Sequence, residues 1–302
     1  MPTVLTSPTG SWRATSSAIN LGRLNLAQRL TKAAAKRPLS IPFELAFHIR
    51  QRQVRALPDA LIIGGQKCGT SSIYNYLLQH PQIAGVIKRP NPRTGRWVAK
   101  EVHYLNQRGA NKQPARWYRA HFDYRKAGII NLEATPDYLT SAEAPIGALE
   151  LIPQAKFIVV LRNPVDRAFS AYQHMLREGV VQESFAAHIE RRLSEQQKIE
   201  FTGWDVLKKG RYAEGLERWF TNFSRSQFHI IDFRELVSEP SETVAGIINF
   251  LGLPQVPIDT VKKFNDGRYA DSMDPDLNAR LREYFEPHNR RLESLLGFSM
   301  GW

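Results

Sequence analysis

The chain has a single cysteine, Cys68, in 302 residues, which excludes an internal disulfide framework and a cysteine-rich zinc site. No apolar run approaches the roughly 18 residues that cross a bilayer, so no transmembrane anchor is expected. Internal repeats and low-complexity blocks are also missing. Acids are absent from residues 1–43, where Arg13, Arg23, Arg29, Lys32, Lys36 and Arg37 supply half of the formal net charge of +12. The remaining chain is only moderately basic. That excess fits a site for a multiply charged nucleotide better than a groove tracking a phosphate backbone, so nucleic acid is not the expected partner.

The acid-free segment, rich in Ser, Thr and Arg, has three readings: an organellar transit peptide, a weak membrane-surface helix, or a basic tail or helix packed on the domain. It has no continuous apolar region of the secretory type. Leu21, Leu24, Ala27 and Leu30 can line one helical face with Arg29, Lys32 and Lys36 on another, so peripheral membrane contact is one expectation. Pro58 marks entry into the globular part. The expected division is a basic leader and N-terminal helical segment over 1–57 and one domain over 58–302. With 42% hydrophobic residues, that length buries a full core.

Within the domain, apolar runs alternate with helical periodicity, which predicts an α/β fold with a central parallel sheet flanked by helices. Strands are expected at 60–63, 129–132, 156–161 and 228–232. Helices are expected at 70–79, 114–121, 144–151, 165–177, 183–200, 212–223, 240–250 and 275–296. Lys88 to Arg96, with Pro90, Pro92 and Gly95, reads as an exposed hairpin or loop. It and the 180–205 region are candidate walls for an acceptor.

The most specific segment is Leu61-Ile62-Ile63-Gly64-Gly65-Gln66-Lys67-Cys68-Gly69-Thr70-Ser71-Ser72. A buried strand runs into a turn of small residues and then a helix, whose first N–H groups and positive dipole end suit a phosphate or sulfate. It is not a Walker A loop, because Thr70 occupies the lysine position and the lysine stands inside the turn as Lys67. A second anion site follows Phe157–Leu161, where Arg162 ends the strand, Asn163-Pro164 opens a helix, and Ser170 lies about two turns on. In an open α/β sheet both sites face the crevice beyond the strands' carboxyl ends. Two anion sites imply a nucleotide phosphorylated at two places.

These residues resemble the sulfotransferases that use 3′-phosphoadenosine 5′-phosphosulfate (PAPS). Gly65–Ser72 resembles that family's 5′-phosphosulfate loop, and Leu161-Arg162-Asn163-Pro164-Val165-Asp166-Arg167-Ala168-Phe169-Ser170 its 3′-phosphate segment. Lys100-Glu101-Val102-His103-Tyr104 and Glu133-Ala134-Thr135-Pro136-Asp137-Tyr138-Leu139 are similar to segments of the carbohydrate branch that includes the heparan sulfate enzymes. The likeness runs from about residue 58 to the end and implies a P-loop-like sulfotransferase fold.

It also implies roles. Lys67 would neutralise the oxygen bridging phosphate and sulfuryl group, and Cys68, Gly69, Thr70, Ser71 and Ser72 would hold the 5′-phosphosulfate. Arg162 and Ser170 would take the 3′-phosphate. Glu101 would accept the proton of an acceptor hydroxyl, with His103 as an alternative base or an acceptor-binding group and Lys100 beside it on the acceptor. Gly210 and Tyr212, in Lys209-Gly210-Arg211-Tyr212, resemble a stretch near the nucleotide. The family's C-terminal Lys-Gly-Arg loop reads Asn265-Asp266-Gly267-Arg268 here; Asp266 would repel phosphate, leaving Arg268 or Lys263 to contribute.

Cys68, beside Lys67 at a helix start, has the surroundings of a reactive thiol, or is simply a small residue that tolerates a close ligand. The expected acceptor is a hydroxyl on a carbohydrate, glycolipid or small molecule. No metal is expected, and the location is expected to be cytoplasmic. The alternatives are a P-loop nucleotide kinase and a non-catalytic protein that binds anionic ligands.

Overall fold

Short β-branched and aliphatic runs flanked by helices leave each strand buried on both faces, the condition for a parallel sheet. The computed structural model describes residues 42–90, 95, 97–107, 109, 112–194, 205–262 and 273–302. Contacts divide the chain into Met1–Ile49 and Arg50–Trp302. In the first unit the described residues open helix α1 (Phe43–Gln51), where Phe43 and Phe47 stack with centroids 5.5 Å apart. The Leu21–Leu30 face lies outside the described residues. Among the described residues no helix is long and apolar enough to cross a membrane.

The second unit carries β1 (Ala60–Ile62), α2 (Thr70–Leu77), β2 (Ile83–Ala84), β3 (Arg89–Pro90), β4 (Trp97–Val98), α3 (Ala115–Arg119), β5 (Ile130–Ala134), α4 (Ala144–Leu151) and β6 (Lys156–Leu161). It continues with α5 (Pro164–Arg177), α6 (Phe185–Ser194), α7 (Tyr212–Asn222), β7 (Phe228–Asp232), α8 (Phe233–Ser238), α9 (Pro240–Leu251) and α10 (Pro275–Leu296). Five strands form a parallel sheet in the order β2-β5-β1-β6-β7. The chain leaves β1, fills one side with β2 and β5, then crosses to β6 and β7, so the direction of winding reverses at β1 and β6.

Strand alternation separates two cores. Leu61, Ile63, Phe157, Val159 and Leu161 face Trp219 and Leu216 of α7 and Leu292 of α10. Ala60, Ile62, Ile158 and Val160 face Ile73 and Leu77 of α2 and Ile247 and Ile248 of α9. A third cluster joins α5 and α6 to Leu277, Leu281 and Phe285 of α10.

The expected strands appear within two residues of their predicted ends, and β6 and β7 agree at both. The structure adds β2, two residues long and too short for any periodicity to reveal. It also adds α8 directly after β7, while α1 falls within the N-terminal helical segment expected before residue 58. The Lys88–Arg96 stretch takes part in a hairpin, with Arg89 opposite Val98 and Pro90 opposite Trp97. The helix expected over 183–200 is α6; residues 195–204 lie outside the described residues, as does the 263–272 segment with Lys263, Asp266 and Arg268.

Candidate active site

The loop after β1 is shaped by close approach. A Cβ on Gly64 would lie 2.2 Å from the backbone nitrogen of Val160, so glycine is what lets β1 lie against β6 at this level. Gly69 precedes α2 in the left-handed region, φ 82°, and turns the chain into the helix. The N–H of Ser72 is spent on the Gly69 carbonyl at 2.9 Å. Asn163 caps α5 by accepting from Val165 N at 2.9 Å, with Pro164 in the first turn, a favourable start for a helix.

The loop after β1, the end of β6 and α5 meet in one cleft of about 730 Å³ at the carboxyl ends of the strands. Lys67, Gly69, Thr70, Ser71, Ser72, Lys100, Glu101, Arg162 and Ser170 all line it. Four cations, Lys67, Lys100, Arg162 and Arg177, stand there against two carboxylates, Glu101 and Glu178. Burial, then Arg177, Lys100 and Arg162, pull the pKa of Lys67 down to about 8. A lysine so crowded by positive charge is held ready for an anion.

Lys100 spans the cleft: its Nζ donates to Ser71 Oγ at 2.7 Å and to Glu101 Oε1 at 2.5 Å. Arg162 Nη1 donates to the Lys67 carbonyl at 3.4 Å, and its guanidinium lies over the Phe233 ring at 4.7 Å. Glu101 is fixed through its backbone, its N–H donating to Ala134 O at 2.9 Å and its carbonyl accepting from Arg89 Nη2 at 2.6 Å. Among the described residues the non-glycine positions with positive φ are Lys67 (70°), Glu101 (60°) and His103 (55°). Each costs about 1–3 kcal/mol, and all three are candidate chemical groups.

Other expected residues stand behind the cleft or beside it. Cys68 is fully buried, its Sγ 3.7 Å from the Tyr212 hydroxyl, and burial pushes its thiol pKa up. The surroundings therefore oppose the reactive-thiol reading: the helix N-terminus is present, but the sulfur faces the core. Tyr212 is 1% exposed and donates to the Arg162 carbonyl at 2.9 Å. Gly210 is buried against Phe285 and Pro164. These residues support the loop and Arg162 from below. His103 is not in the cleft lining; its Nδ1 lies 4.0 Å from Asp137 Oδ2. Among the described residues no three His, Cys, Asp or Glu side chains come together as metal ligands.

Several lining residues had not been singled out. His174 and Arg177 follow Ser170 on α5 by four and seven residues, one helical face, so that spacing was available in the sequence. Phe233, Leu236 and Val237 of α8 form an apolar wall opposite, and nothing local marked them as part of a site.

Residues 58–257 match the family model described as "Sulfotransferase family". The chain is 30% identical to human "Heparan sulfate glucosamine 3-O-sulfotransferase 6" over 271 residues, covering 82% of this chain and 74% of that protein. It is 31% identical to mouse "Bifunctional heparan sulfate N-deacetylase/N-sulfotransferase 4", again over 82% of this chain but 31% of the larger protein. Among solved structures, a sulfotransferase from Alicyclobacillus acidocaldarius superposes with a TM-score of 0.68 at 29% identity, covering 81% of this chain and 98% of that one. The expected cytoplasmic location is corrected by these relatives: they are named for action on heparan sulfate, and nothing supports a cytoplasmic place for this chain. The physical reason is plain, since lack of an apolar span says nothing about compartment.

Proposed function

Because this chain belongs to the sulfotransferase family, we propose that it moves the sulfuryl group of PAPS to a hydroxyl of a glycan of the heparan sulfate type, with residues 58–302 as the transferase domain. The observation that carries this reading is the convergence in one cleft of the loop with the displaced lysine, the Arg162–Ser170 segment and Glu101. PAPS supplies the sulfuryl group when bound and departs as adenosine 3′,5′-bisphosphate. Thr70, Ser71 and Ser72 at the start of α2 suit its 5′-phosphosulfate, and Arg162 with Ser170 suits the 3′-phosphate. The apolar wall of α8 suits the purine. The excess of cleft cations over carboxylates matches a ligand of several negative charges.

Each chain residue then has a task. Lys67 neutralises charge on the bridging oxygen as the bond to sulfur breaks, a preorganised electrostatic role. Glu101 accepts the acceptor hydroxyl's proton, and its strained backbone holds the carboxylate toward the cleft. Lys100, bonded to both Ser71 and Glu101, keeps the base registered against the donor loop. The acceptor class rests on the relatives, whose names specify heparan sulfate.

The test is calorimetric binding of adenosine 3′,5′-bisphosphate against AMP and ATP, followed by sulfate transfer from labelled PAPS to heparosan oligosaccharides. Preference for the bisphosphate and transfer to the glycan are expected; tighter ATP binding would instead indicate a kinase. Glu101→Gln should lower kcat by at least about 100-fold with nucleotide affinity unchanged.

A further inference from the structure

Behind the cleft a buried ammonium joins two segments that the transfer reading assigns to opposite sides of the reaction. Lys209, in the 3-10 turn Lys208–Gly210, is 3% exposed. Its Nζ donates to Asp137 Oδ1 at 2.6 Å and to Gln66 Oε1 at 3.3 Å. Gln66 directly precedes Lys67 and lines the cleft, as does Pro136 next to Asp137. The other oxygen of Asp137 is the one 4.0 Å from His103 Nδ1. Burial pulls the lysine's pKa down while Asp137 beside it pulls the other way. A pair with one partner buried and the other 30% exposed adds little stability, so its value lies in fixing geometry.

We propose that the Lys209–Asp137 pair is a positioning device of the transfer site: through Gln66 it holds the donor loop, and through the second oxygen of Asp137 it orients His103 on the acceptor side. The inference rests on the sulfotransferase reading of the cleft. Around His103 stand Asp137, Glu133 from β5, and Asn106, whose Nδ2 is 3.5 Å from the ring nitrogen Nδ1. Lys209 fixes where the Asp137 carboxylate sits beside the imidazole. Two substitutions within one pair therefore act differently, loss of Lys209 disturbing the donor loop and His103 together and loss of Asp137 disturbing His103 alone, which a packing role does not produce.

The experiment is NMR spectroscopy of the His103 ring at a single pH in wild type, Lys209→Met and Asp137→Asn, with His103→Gln to assign the signals and adenosine 3′,5′-bisphosphate binding measured on each protein. Both substitutions displace the His103 ring signals, and Asp137→Asn leaves nucleotide affinity unchanged, because Lys209 still donates to Gln66. Lys209→Met also weakens nucleotide binding several-fold, because Gln66 loses its anchor. Should that variant fail to fold, Lys209→Gln removes the charge on a stem too short to keep both bonds and carries the same expectation. His103 signals unmoved in either variant, or nucleotide affinity weakened equally by both, overturn the positioning pair and leave the transfer reading standing. Failure of the wild type to bind the nucleotide overturns both.

Discussion

Lys67 shows how much one side chain depends on its neighbours. Its ammonium is destabilised by burial and by three nearby cations, which bring its pKa to about 8. A bound polyanion reverses that sign, so binding takes up a proton wherever the free lysine has lost it. Nucleotide affinity is therefore full below pH 8 and falls as pH rises above it. Calorimetry at about pH 7 and about pH 9 should show weakening of roughly tenfold in wild type, and Lys67→Ala should remove that part of the pH dependence while leaving the fold intact. The sequence marked this lysine as a loop residue facing the crevice; its depressed pKa was not legible, because Arg162 and Arg177 come from a different part of the chain. The same holds for the positive φ at Glu101 and His103, which no propensity signals.

Helices α5 and α8 face each other across the cleft and differ in how well the sequence revealed them. α5 announces itself through Asn163-Pro164 and a clear apolar stripe, and Ser170 was placed correctly on it. α8 is six residues long and follows β7 at once, so neither periodicity nor a loop separates it from the strand. Its contribution is concrete, since Phe233 gives Arg162 an aromatic platform at 4.7 Å. Phe233→Ala should weaken adenosine 3′,5′-bisphosphate binding by about 0.5–2 kcal/mol, measured calorimetrically, through loss of the cation–π contact and of apolar wall. Unchanged affinity would show that α8 is only a lid on the core.

Across the whole molecule, Glu133 at the end of β5 gathers segments distant in sequence. Its carboxylate accepts from Thr135 at 2.6 Å, from Tyr138 at 2.9 Å, and from Tyr118 of α3. Tyr138 accepts in turn from the Tyr104 N–H at 2.9 Å, which ties in the segment carrying Glu101 and His103. Glu133 is completely buried and burial raises its pKa, so every lost donor leaves a costly charge. Tyr118→Phe should reduce stability by about 1–3 kcal/mol in denaturant unfolding, and should lower transfer rate more than nucleotide affinity, because the disturbed segment is the one proposed to meet the acceptor.

Chemistry carried by neighbours in the chain was open to reading before any fold was known. The loop Gly64–Ser72, the Arg162–Ser170 spacing and the Lys100-Glu101-Val102-His103 run are local, and glycine sterics, helix termini and charge act over a few residues. Their meeting in one cleft followed in outline from the rule for parallel sheets. Folding decided the rest: that Cys68, Gly210 and Tyr212 turn inward while His174, Arg177 and Phe233 turn to the cleft, and that Lys209 reaches Asp137 and Gln66. Burial and Coulomb forces act through space, and only packing brings residues 66 and 137 within a hydrogen bond of residue 209.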